Sequence, residues 1–145
     1  MTMICHREPQ RYSAAFPASL GSAQEARRFV EAALGGAGVQ DQALADRLTL
    51  ATSELVANAV VHAGSEVEVR ITVDQDFVWL EVADRSAALP ERTPPSVTST
   101  HGRGLVLVDA LARAWGVAPA SAGFGKSVWV QVGRGPNYSG VTSDV

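Results

Sequence analysis

Glu54, Asn58 and His62 stand four residues apart in a stretch of helical character. In a helix of 3.6 residues per turn, successive members of such a series rotate by about 40°. Their side chains therefore follow one slanting line along the axis. That line borders the apolar positions Leu48, Leu55 and Ala59, so a carboxylate and a carboxamide reach a cleft at the edge of the core. A carboxylate there can orient or deprotonate a nucleophile. An asparagine oxygen is a neutral ligand for Mg²⁺, a hard cation that keeps waters and substrate phosphates in its shell. The same spacing also describes a polar helix edge facing water. His62 alone reads as a helix-terminal, hydrogen-bonded histidine.

Further along the chain, Asp84 follows an apolar strand and opens an irregular segment. It is positioned to accept a hydrogen bond from a ligand amine or, equally, to make an ordinary Asx turn. His101-Gly102-Arg103-Gly104-Leu105 is a glycine-containing turn that opens a helix. Unpaired N–H groups and the positive dipole end at a helix N-terminus suit phosphate. Glycines there let the backbone approach closely; a plain helix entry fits the same residues. Gly125-Lys126-Ser127 starts the last strand and either brings backbone and a hydroxyl to the same cleft or makes a simple turn. There is no GxxxxGK[ST] phosphate loop and no GxGxxG dinucleotide fingerprint.

The elements that must hold these residues are legible from periodicity. Arg11–Phe16 reads as a first strand, ended by Pro17. Ser22 and Glu25 fit a capping box ahead of a helix with Ala26, Phe29, Val30, Ala33 and Leu34 at helical spacing, stopped by Gly35, Gly36 and Gly38. Asp41 is the expected cap of a longer helix, in which Leu44, Leu48, Ala51, Leu55 and Ala59 make one buried stripe. This helix ends near His62–Gly64. Glu66–Val73 and Phe77–Ala83 alternate apolar and polar residues around a turn at Asp74–Asp76, the pattern of a hairpin with one wet face. Asp84–His101, with three prolines, reads as a loop. A helix from Leu105 to about Trp115 and a strand at Ser127–Val132 follow. The order predicts an α+β, two-layer sandwich, with a mixed, mostly antiparallel sheet and helices on one face.

Composition bounds the function. The 145 residues suit one domain, and the net charge of −3 gives no basic footprint for nucleic acid. A single cysteine, Cys5, excludes an internal disulfide and fits a reducing compartment. No apolar run matches a signal peptide or a membrane span. A cytoplasmic protein is expected.

Singly these motifs are weak; their order is specific. Glu54-Leu55-Val56-Ala57-Asn58-Ala59-Val60-Val61-His62 resembles the N-box of the GHKL (Bergerat-fold) ATPase/kinase superfamily. Val82-Ala83-Asp84-Arg85-Ser86 stands where that family has its first glycine box. Gly102-Arg103-Gly104-Leu105 is similar to the second, and Gly125-Lys126-Ser127-Val128-Trp129 to the final Gly-x-Thr/Ser element. The resemblance runs from about Arg11 to Val132. The N-box with His62, the short length and the Trp115 ending are similar to the anti-sigma-factor serine/threonine kinases and their stand-alone actinobacterial-type relatives.

This resemblance implies that ATP and Mg²⁺ are bound. Asn58 would hold the metal, and Glu54 would be the general base. Asp84 would bind the adenine amino group, with Ser127 beside it, while Gly102, Arg103 and Gly104 would contact phosphates. His62, Ser86 and Leu105 belong to the same implied ATP site. The implied partners are a sigma factor and an anti-anti-sigma protein, with neither nucleic acid nor membrane; relatives of this type often form homodimers. Ser86 departs from the family's usual glycine and adds a Cβ where backbone approaches the base. The alternative is therefore a non-catalytic, nucleotide-sensing partner-switching module. The catalytic part of a two-component histidine kinase would need a dimerising helical hairpin with a phosphoacceptor histidine, which these motifs leave no room for. The expected organisation is a tail at 1–10, an ATP-binding kinase-like domain at 11–133 and a tail at 134–145.

Overall fold

The structure is a computed structural model that describes residues 8–85, 112–119 and 125–134. Its elements run β1 (Gln10–Phe16), α1 (Ser22–Gly36), α2 (Gln42–Ala63), β2 (Val67–Val73), β3 (Phe77–Asp84), β4 (Ala114–Pro119) and β5 (Lys126–Gly133). The strands form one sheet in the order β1-β2-β3-β5-β4. Every pairing among them is antiparallel, so the described sheet is not mixed.

Register explains which side of the sheet is buried. Tyr12 pairs with Ile71, Ile71 with Leu80, Leu80 with Val130, and Val130 with Trp115. This apolar row crosses all five strands. Its members belong to the core or pack against it, together with Ala26, Val30, Ala33 and Leu34 of α1 and Leu44, Leu48, Leu55 and Ala59 of α2. Because side chains alternate across a strand, the neighbouring row falls on the other face: Arg70, Glu81, Trp129 and Gly116 in register. The architecture is thus the expected α+β sandwich, with both described helices packed on one face.

The helix ends follow local chemistry. Asp41 caps α2, its Oδ1 accepting from the Leu44 N–H at 3.2 Å. Gly64 ends α2 at φ 59°, a left-handed conformation that glycine adopts without penalty. The capping box expected at Ser22 and Glu25 does not form. The Ser22 hydroxyl donates instead to the Pro17 carbonyl, and Gly21 is the N-cap, without a side-chain cap bond. Gly35 and Gly36 lie inside α1 rather than stopping it; the chain turns at Ala37 and at Gly38, where φ is 80°.

The largest difference lies near Trp115. The sequence reading ended a helix there, but Ala114 and Trp115 begin β4, an unanticipated edge strand. Its sequence, Ala-Trp-Gly-Val-Ala-Pro, carries little alternation, and Gly116 faces a neighbouring indole. A Cβ on Gly116 would stand 2.8 Å from Cζ2 of Trp129. The start of the expected helix, the loop from Ser86 onward and the two tails fall outside the described residues, apart from the few residues flanking β1 and β5.

Candidate functional site

α2 carries the polar line predicted from spacing. Glu54 and Asn58 are half-buried and His62 is exposed, beside the buried Leu48, Leu55 and Ala59. Glu54 and His62 are two turns apart, about 12 Å along the axis at 1.5 Å per residue. Thr49 and Thr52 extend the buried face without violating it, because each hydroxyl donates back to a helix carbonyl: Thr49 to Ala45 at 2.9 Å and Thr52 to Leu48 at 2.6 Å. Sequence reading passed over both threonines; such back-bonding is the means by which a helical threonine satisfies its hydroxyl in a core.

The C-terminal end of α2 and the end of β3 meet. The Arg85 backbone N–H donates to Ser65 Oγ at 3.2 Å, and the Arg85 guanidinium lies 3.5 Å from Glu66 Oε1. Asp84, immediately before this junction, therefore lies at the same end of the molecule as His62. α2 also packs chiefly against β3 among the strands. The C-terminal end of the helix and the acidic strand end thus lie side by side.

Asp84 is buried and pairs in register with Lys126 on β5. The Lys126 Nζ stands 3.8 Å from Asp84 Oδ2, and the two side chains are only 10% and 6% exposed. The Gly125 N–H donates to the Asp84 carbonyl at 2.6 Å and closes the backbone beneath them. Asp84 and Lys126 share strand parity with Val82 and Val128, so both face the helices.

Ser127 does not share that position. It pairs with Ala83 and faces the opposite side of the sheet, where it lines a shallow pocket of about 100 Å³ with Glu68, Glu81 and Trp129. The residue beside Asp84 is Lys126, whose side chain the sequence assigns no role. The signal available was parity: Asp84 directly follows Val82-Ala83, and Lys126 sits two positions before Val128. Ser86, Gly102, Arg103, Gly104 and Leu105 fall outside the described residues.

The donor set fits the groups the sequence implied. Asp84 offers carboxylate oxygens to an amine, and Asn58 offers a carboxamide oxygen to a hard cation. Among the described residues no group of three or more His, Cys, Asp or Glu is placed to hold a metal ion. A Mg²⁺ held by Asn58 would keep phosphate oxygens and water in its shell.

The described fold is an antiparallel sheet with helices on one face, an acidic strand end and a Glu/Asn-bearing helix. Residues 16–131 match the family model of the histidine kinase-like ATPase domain, and the chain belongs to that family. Membership implies ATP binding. None of the curated proteins matches the chain. No helix among the described residues is long and apolar enough to cross a membrane.

Proposed function

We propose that this protein is a Mg-ATP-dependent serine/threonine kinase of the anti-sigma-factor type, which phosphorylates an anti-anti-sigma protein and sequesters a sigma factor in the cytoplasm. The observation that carries the reading is the half-buried Glu54 and Asn58 on α2, a helix whose C-terminal end meets the end of β3 where Asp84 is buried. In the proposed reaction Asp84 accepts a hydrogen bond from the adenine amino group, and Asn58 ligates Mg²⁺. Glu54 takes the proton of the partner's serine hydroxyl as its oxygen forms a bond to the γ-phosphorus and the bond to ADP breaks. A metal held by one carboxamide is dominated by the phosphates, consistent with Mg²⁺ chemistry.

A second reading, a nucleotide-sensing binding module without phosphoryl transfer, is favoured by Ser86 at the usual glycine position. One experiment separates the two: capture of partners with and without Mg-ATP, followed by phosphosite mapping. Phosphoserine or phosphothreonine on a captured partner supports the kinase. Nucleotide-dependent capture without phosphorylation supports the binding module.

A further inference from the structure

We infer that Lys126 is a second base-reading residue, which donates a hydrogen bond to N1 of adenine while Asp84 accepts one from the N6 amino group. The inference rests on the proposed adenine role of Asp84 and deepens it. Asp84 and Lys126 are in register on adjacent strands, and their charged atoms stand 3.8 Å apart. Both side chains are nearly buried and on the helix-facing side of the sheet.

Adenine presents a donor, N6–H, next to an acceptor, N1. An acceptor-only carboxylate beside a donor-only ammonium is the complementary pattern. In the same pose guanine would set its O6 against the carboxylate and its N1–H against the ammonium, so both contacts would become repulsive. Specificity of this kind comes from mismatched polar groups as much as from matched ones. A lysine is also long enough to serve either partner. Its ammonium carries three donors and no acceptor.

The test uses ATP, 1-deaza-ATP (which lacks only the N1 acceptor) and GTP, with affinities measured by isothermal titration on the wild type and on Lys126→Met. The wild type should bind 1-deaza-ATP about tenfold or more weakly than ATP, the scale of a hydrogen bond to a charged group. GTP should bind more weakly still. Lys126→Met should bind ATP and 1-deaza-ATP equally. Equal affinity of the wild type for ATP and 1-deaza-ATP overturns the role of Lys126 while leaving the nucleotide reading intact. If ATP itself does not bind, the nucleotide reading falls and this inference falls with it. The wild-type comparison needs no substitution, so a Lys126→Met chain that fails to fold does not protect the inference.

Discussion

Trp129 of β5 sits against Gly116 of β4 so closely that three atoms of its indole, Cζ2, Cε2 and Nε1, would lie 2.8–2.9 Å from a Cβ at that position. The contact is on the face of the sheet away from the helices and joins β4 to β5, its only neighbour among the described strands. Gly116→Ala must displace either the indole or the β4 backbone. We predict a loss of roughly 1–3 kcal/mol, the usual scale of overpacking, measured by chemical denaturation. Pairing it with Trp129→Leu should recover part of the loss. An additive double variant would show that the indole is not the obstacle.

Glu54 is half-buried on the edge of α2 and outside the core. We predict that Glu54→Ala lowers partner phosphorylation by about a hundredfold or more, the scale of general-base catalysis. ATP affinity should change by no more than about twofold. Single-turnover phosphorylation and nucleotide titration on the same preparation check this. A variant that phosphorylates at the wild-type rate removes Glu54 from the chemistry.

Asp84→Asn replaces an acceptor-only group by one that presents donors. We predict about tenfold weaker ATP binding, read by titration, with the fold retained by circular dichroism. Unchanged affinity would place the base elsewhere.

Gly64 ends α2 at φ 59° with its N–H donating to the Val60 carbonyl at 3.2 Å. A Cβ there meets nothing within 4 Å, so only backbone conformation opposes a side chain. We predict that Gly64→Ala costs about 1 kcal/mol. Gly64→Asn should cost less, because asparagine tolerates the left-handed region. Equal losses for the two substitutions would argue against a conformational origin.

Much of this arrangement is legible in the sequence. The stripe Leu44, Leu48, Ala51, Leu55 and Ala59 is buried as its spacing requires, and the alternation of β2 and β3 gave their inward faces correctly. Periodicity works there because burial on one side imposes it. It failed at β4, where Gly116 is small to accommodate the Trp129 indole and the strand shows no hydrophobic period. The capping box failed for a similar reason: the Pro17 carbonyl competes for the Ser22 hydroxyl. The positions of Glu54 and Asn58 on the half-buried edge of α2 and of Asp84 at a strand end were legible from type and order. Lys126 was not, because a lysine in a turn reads as solvated until register sets it beside a buried carboxylate.

The sheet order has a consequence for synthesis. β5 inserts between β3 and β4, so β3 keeps one edge unpaired until residues 126–133 have been made. Until then a nascent chain exposes an apolar strand edge bearing Val78, Leu80 and Val82, a template for pairing with another chain. At roughly 5–20 residues per second, that edge stays open for seconds. Low temperature or a slow translation rate should therefore favour aggregation of partly made chains over loss of the finished protein, and truncation before β5 should yield an insoluble product.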